Sequence, residues 1–237
     1  MAVDGRRFDG IEAVVLDAVG TLIEPSPSVA EVYAAAAHRQ GIEADPEVVR
    51  VRFKEHFRRD ELDDLRGPMV TDEAIEYRRW RRIVSGVLPD LPDPERAFLE
   101  LWEHFGRAEA WRCFADVTPA LRRLRAVGLS IRVGSNFDGR LRGVLNGLPE
   151  VAELAGAVSI SSEVGYRKPH PSFYRAVCDR LAMPPHRVLS VGDDPENDVD
   201  GAGRAGLRAV LVDRSGRHQD RPGVFPDLVS VAESFGG

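Results

Sequence analysis

Four short segments hold the side chains whose types and spacing could do chemistry. Asp17 closes an apolar run, residues 12–17, and is followed by Ala18-Val19-Gly20-Thr21. If that run is a parallel strand, its carboxylate stands at the C-terminal edge, where open α/β sheets bind ligands. A carboxylate there, beside a metal ion, can attack phosphorus. Gly20 permits a sharp turn, and Thr21 can cap a helix or donate to an anion. The plainer reading of Asp17 is a capping carboxylate on a strand-to-loop turn. Ser135-Asn136 ends a second run, where a hydroxyl and backbone N–H groups can hold a phosphoryl oxygen or start a helix.

The third segment is Gly165-Tyr166-Arg167-Lys168-Pro169-His170-Pro171. Its glycine and prolines stiffen the loop. Lys168 is then either a fixed positive charge offsetting Asp17 and a bound phosphate, or an ordinary solvated lysine. Arg167 is expected to face solvent and His170 to begin a helix. The fourth segment, Gly192-Asp193-Asp194-Pro195-Glu196-Asn197-Asp198, crowds carboxylates together. Like charges so close favour a small hard cation, and oxygen ligands of this kind suit Mg²⁺. A solvated turn with a helix-starting Asp is the alternative. No His/Cys cluster has zinc spacing.

Positioning these groups requires a parallel sheet. Five short runs rich in β-branched residues, at 12–17, 129–135, 156–161, 187–192 and 208–212, read as its strands. Helical patterns separate them at 118–127, 171–181 and 200–205, the first and last ending before Gly128 and Gly206. Strand and helix alternating in this way means βαβ units. Residues 24–113 differ: they show no convincing strand, and helical spacing recurs at 29–39, 46–62, 72–87 and 94–107. Their aromatic residues read as core packing between helices. The division expected is a core of 1–23 with 114–237, and a helical insert of 24–113, linked near 24–28 and 113–116. The tail after Pro222 reads as a short helix and a frayed Gly-Gly end.

Composition narrows the function classes. The chain has 237 residues, 43% apolar and 30% charged, with 32 basic against 38 acidic side chains. A net negative chain carries no global footprint for nucleic acid. The run Arg78, Arg79, Arg81, Arg82 reads as a solvated helix face, or less simply as a contact for an anionic ligand. Two cysteines, Cys113 and Cys178, form no pair motif and fit a reducing compartment. No stretch approaches the ~18 apolar residues of a membrane span, and the first ten residues lack a signal-like apolar core. A cytoplasmic protein, monomer or homodimer, acting on a small molecule is expected.

Taken in order, the four segments resemble the signature motifs of the haloacid-dehalogenase-like hydrolase superfamily. Asp17-x-x-Gly20-Thr21 is similar to the first motif, Ser135-Asn136 to the second and Lys168-Pro169 to the third. Gly192-Asp193-x-x-x-x-Asp198, continuing into Gly201-Ala202-x-x-Ala205-Gly206, resembles the fourth. The insert resembles a C1-type helical cap of subfamily I, and the detail looks most like the REG-2-like, HDHD-type branch. The resemblance implies a Rossmann-like α/β core with sheet order 3-2-1-4-5. It implies that Asp17 attacks phosphorus to give an aspartyl-phosphate that water hydrolyses. Asp17, the Val19 carbonyl, Asp193 and Asp198 would bind Mg²⁺, Ser135 and Lys168 would hold the phosphoryl group, and Thr21 and Asn136 would lie at the substrate.

One position departs from the pattern. Phosphatases of the superfamily usually carry Asp two residues after the nucleophile, as general acid and then base. Val19 stands there and cannot move a proton. The departure implies poor hydrolysis of alkyl phosphoesters and better action on activated esters or acyl phosphates, unless Asp138 or a cap residue supplies the proton. The other readings are a catalytically weak binding or regulatory protein, a haloacid dehalogenase, or a phosphonate hydrolase. Dehalogenases typically have an aromatic residue at that position. Phosphonate cleavage would want a cap lysine, and Lys54 is the only one.

Overall fold

Apolar runs that can bury both faces need helices on either side, and the chain supplies them in alternation. The computed structural model describes residues 8–218 and 220–235, so the Gly-Gly end lies outside the described residues. Strand β1 (Ala13–Leu16) leads through β2 (Ile23–Pro25) into α1 (Val29–His38), α2 (Pro46–Arg66), α3 (Glu73–Val87) and α4 (Pro94–His104). The chain returns along β3 (Trp111–Cys113). It then runs through α5 (Val117–Ala126), β4 (Ser130–Ser135), α6 (Arg140–Asn146), β5 (Val158–Ile160), α7 (Ser161–Val164), α8 (Pro171–Leu181), β6 (Val188–Gly192) and α9 (Gly201–Arg204). Last come β7 (Arg208–Val212), β8 (Val224–Phe225) and α10 (Leu228–Glu233).

The main sheet is parallel, in the order β5-β4-β1-β6-β7-β8. Its first five positions are the predicted 3-2-1-4-5 arrangement. The sixth strand, β8, was expected to be part of a helical tail. β1 sits between β4 and β6 with Ala13 level with both Ser130 and Val188, and Leu16 level with both Val133 and Val191. That register sends the residues after β1, β4 and β6 out of the same edge. Side chains alternate along β1. Val14 and Leu16 join the core under α5, α6 and α10, while Ala13 and Val15 join the one under α8 and α9. Fully buried aliphatic side chains of this kind contribute about 1.5–3 kcal/mol each.

The insert is helical, with each helix started by its own cap. Ser28 and Glu31 form a capping box on α1. Asp45, Asp72 and Asp93 accept from the first turns of α2, α3 and α4, and Pro46 and Pro94 occupy first-turn positions. The insert has an apolar core of its own around Tyr33, Ile83, Val87, Phe98 and Leu101. Its ends are not plain linkers. β2 and β3 pair antiparallel, Ile23 against Cys113 and Pro25 against Trp111, and make a two-stranded neck. The arginine run also divides: Arg78, Arg81 and Arg82 are exposed, whereas Arg79 is buried and paired with Asp60 (2.6 Å) and Asp64 (2.7 Å).

Candidate active site

The shared strand edge brings the predicted residues together. Lys168 is 6% exposed, and all three of its ammonium protons are placed. Nζ lies 2.6 Å from Asp17 Oδ1 and 2.6 Å from Asp198 Oδ1, and donates to the Gly134 carbonyl at 2.9 Å. Burial alone would lower its pKa, but the two carboxylates outweigh that and hold it above its ordinary value. The loop carrying it is tied to the end of β4. Asn136 Oδ1 accepts from Lys168 N (2.7 Å), and Asn136 Nδ2 donates to Lys168 O (2.9 Å). His170 caps α8 by accepting from Ser172 N.

Asp198 reaches back to the site because the chain after β6 coils too widely for an α-helix. Pro195–Asp200 is a π-helical turn, a form frequent at functional sites. Asp194 stabilises its start, accepting from Glu196 N and Asn197 N, while its own N–H donates to Asp198 Oδ2 at 3.1 Å. Gly192 permits this return, since a Cβ there would come within 2.0 Å of Asp198 Oδ2. Gly20 has the same kind of necessity: φ is +91°, and a Cβ would meet Asp193 Oδ2 at 2.3 Å. Thr21 Oγ1 donates to Asp193 Oδ1 at 3.2 Å. Thr21 and Asn136, expected at the substrate, thus turn their polar atoms to protein partners and set the positions of Asp193 and Lys168.

Asp17, Asp193 and Asp198 each offer an oxygen within 4.8 Å of the others. The ligand set is hard and all-oxygen, which fits Mg²⁺ and excludes a soft-metal preference. Burial, and then the charges of Asp17 and Asp198, push the Asp193 carboxyl above its usual range. Asp193 opens to the crevice, so solvent tempers the burial, while the repulsion keeps the direction upward. Asp198 is raised too, by burial against the opposing pull of Lys168 and with a further push from Asp17. One lysine facing three carboxylates leaves the cluster short of positive charge.

Above these groups lies a cavity of about 370 Å³ between core and insert. Asp17, Val19, Ser135, Lys168 and Asp193 line one end, and Tyr33, Phe53, Phe57, Trp80, Phe98 and Trp102 line the other. Phe53, Phe57 and Glu61 enter from one face of α2 at four-residue spacing. Lys54 is exposed and does not line the cavity, so the lysine that phosphonate chemistry would want does not enter.

Two arginines fasten the insert over this cavity. Arg167, expected in solvent, is 6% exposed. It crosses to α2 and α3, 3.1 Å from Asp64 and in close contact with Glu76, which also accepts from Thr71 Oγ1 at 2.6 Å. A buried guanidinium needs such partners, and they lie far away in sequence. Arg140 grips Asp138 with two 2.7 Å bonds, donates to the Trp102 carbonyl and lies 3.3 Å from the Trp102 ring centroid. Neither latch was read from the sequence.

Residues 11–206 match the family model for haloacid dehalogenase-like hydrolases, and the chain belongs to that family. It is 31% identical over 240 residues to a phosphoserine phosphatase of Thermus thermophilus, covering 92% of this chain and 94% of the relative. It is 25% identical over 223 residues to haloacid dehalogenase-like hydrolase domain-containing protein 3 of Danio rerio, covering 91% and 90%. A solved dehalogenase with an intermediate complex matches with a TM-score of 0.72 at 20% identity, covering 94% and 96%. That likeness bears on the fold alone. No helix of the described residues is long and apolar enough to cross a membrane.

Proposed function

We propose that this protein is a Mg²⁺-dependent phosphatase of a small phosphorylated metabolite, working through an aspartyl-phosphate on Asp17. One observation carries the reading: a buried lysine bonded to Asp17 and Asp198, with Asp193 beside them, at the floor of the cavity between core and insert. A phosphoserine phosphatase among the relatives supports it. The Danio rerio relative supports the HDHD-type branch with a C1-type cap, the cap spanning 24–113 and the core 1–23 with 114–237.

In this reading Asp17, the Val19 carbonyl, Asp193 and Asp198 would hold Mg²⁺, which would supply positive charge to the phosphoryl oxygens. Asp17 Oδ1 is held by Lys168, and Oδ2 accepts no hydrogen bond among the described residues. Asp17 attacks phosphorus and the ester P–O bond breaks. Lys168 and the Ser135 hydroxyl steady the phosphoryl oxygens. Thr21 and Asn136 act as positioning residues for Asp193 and the Lys168 loop. Water then attacks the aspartyl-phosphate and releases inorganic phosphate. Val19 supplies no proton to either step, which favours a second reading, a weakly catalytic binding protein. A panel of phosphorylated metabolites, with and without Mg²⁺, separates the two. Phosphate release that requires Mg²⁺ is expected; binding with no release on any ester would establish the second reading instead.

Asp193→Ala is expected to weaken Mg²⁺ binding at least about tenfold, since one of few carboxylate ligands is removed. Isothermal calorimetry measures this directly. An affinity unchanged from wild type would remove Asp193 from the metal site.

A further inference from the structure

We infer that Glu61, on the cap, is the proton donor and acceptor that Val19 cannot be; the inference rests on the phosphatase reading above. Six carboxyl side chains line the cavity: Asp17, Glu61, Glu76, Asp193, Asp194 and Asp198. Five are committed. Asp17 and Asp198 hold Lys168, Asp193 accepts from Thr21, Asp194 caps the wide turn, and Glu76 binds Thr71 and Arg167. Asp138, the other group weighed for the role, has no exposed surface and is gripped through both oxygens by Arg140. Glu61 alone among the six makes no hydrogen bond or ion pair within the described residues.

Glu61 lines two recesses that meet at the site. A smaller adjoining recess is lined by Glu61 together with Asn136, Lys168, Asp194 and Asn197. Glu61 therefore borders both the aromatic chamber and the groups that would hold the phosphoryl transfer. The charged groups around it come from every neighbouring element: Asp64 on its own helix, Arg79 on α3, Arg167 on the loop before α8, and Asp194 after β6. Burial and then Asp194 push its pKa up, against the pull of Arg79 and Arg167, to about 7. A carboxyl held near neutrality can be protonated when the ester binds and ionised after it leaves.

The proton balance closes. Asp17 forms a bond to phosphorus, the P–O bond to the alcohol breaks, and the departing oxygen takes the Glu61 proton. The Glu61 carboxylate then takes a proton from the incoming water. That water's oxygen bonds to phosphorus, the bond to Asp17 breaks, and phosphate leaves with Glu61 protonated again.

The test compares wild type, Glu61→Gln and Glu61→Asp on an alkyl phosphate and a nitrophenyl phosphate, with Mg²⁺, across pH 6–9. Glu61→Gln is expected to lower kcat/KM on the alkyl ester by about 10²–10⁴-fold and on the nitrophenyl ester by less than about tenfold, since that leaving group needs little protonation. Wild-type kcat/KM on the alkyl ester should fall as pH rises past Glu61's value, and Glu61→Gln should lose that limb. Glu61→Asp, which keeps the acid on a shorter arm, should recover part of the rate. Val19→Asp should help the alkyl ester more in the Glu61→Gln background than in wild type. Equal losses on both esters, or no loss, would overturn the assignment. So would a wild-type alkyl profile with no falling limb, a result that requires no variant to fold. Absence of phosphate release from either ester in wild type refutes the phosphatase reading itself, an outcome distinct from an active enzyme indifferent to Glu61.

Discussion

Asp17→Asn is expected to cut Mg²⁺-dependent phosphate release on the order of 10⁴–10⁶-fold, the scale of loss when a covalent nucleophile is removed. The substitution changes one oxygen to an amide nitrogen and leaves size and shape alone. The loss should therefore not come from misfolding. Lys168 keeps Asp198 and the Gly134 carbonyl as partners. The cluster goes from three carboxylates around one lysine to two, which eases the repulsion that raises Asp193 and Asp198. Chemical denaturation should accordingly show the variant within about 1 kcal/mol of wild type, the range of a near-neutral exchange. Steady-state rates on the best ester of the panel, together with acid-quench trapping of the phosphorylated protein, make the measurement. Labelled phosphate should be trapped on wild type and not on the variant. A variant that keeps activity within tenfold of wild type would remove Asp17 from the nucleophile's role and leave it a metal ligand or a cap.

What could be read from the chain follows from how local each signal is. Five strands of the main sheet were legible because each lies in an apolar run rich in β-branched residues, and the polar residues at or just past the ends of three of them, Asp17, Ser135 and Asp193, were candidate site residues. Lys168 was legible as a rigid loop lysine, and the crowding of Asp193 and Asp198 was visible in the spacing alone. β8, only Val224–Phe225, is too short to leave a periodic pattern. The neck was hidden because Ile-Glu-Pro and Trp-Arg-Cys carry no run of β-branched residues and look like strands only when paired. Arg167 and Arg79 depart from the solvated expectation because charge reads as solvated until a partner is known. The Glu76 that pairs with Arg167 is 91 residues away. Glu61 left no signal at all. It sits among Arg58, Arg59, Asp60, Asp63 and Asp64 on a charge-rich helix, and only the packing of α2 over the cavity distinguishes it from its neighbours. Asp198 was expected to bind metal, but its bond to Lys168 depends on the π-helical turn, which no local sequence pattern announced.

Lys168→Met is expected to lose both activity and stability, and its stability loss should depend on pH and Mg²⁺ in a particular way. Methionine fills much of the same volume without the charge. It leaves Asp17 Oδ1, Asp198 Oδ1 and the Gly134 carbonyl without their shared donor in a site where Lys168 is 6% exposed. Removing one partner from a buried ion pair costs about 3–5 kcal/mol. For a chain of this length that is roughly 2–4 °C of Tm per kcal/mol. The pH dependence follows from the remaining carboxylates. Without the lysine, Asp198 loses the main influence that lowers its pKa, so its folded value rises further above the unfolded value of about 3.9. A carboxyl shifted in that direction binds more protons folded than unfolded between the two values. Its cost is absent below the lower value and grows as pH rises toward the higher one. The deficit of Lys168→Met should therefore be greatest at neutral pH and shrink toward pH 4. Mg²⁺ should restore part of it at neutral pH, because a cation held by the same carboxylates supplies some of the lost charge. Denaturation curves at pH 7 and near pH 4, each with and without Mg²⁺, decide the matter. A deficit of the same size in all four conditions would mean that Lys168 contributes by packing alone and that the charges of Asp17 and Asp198 are balanced by something else.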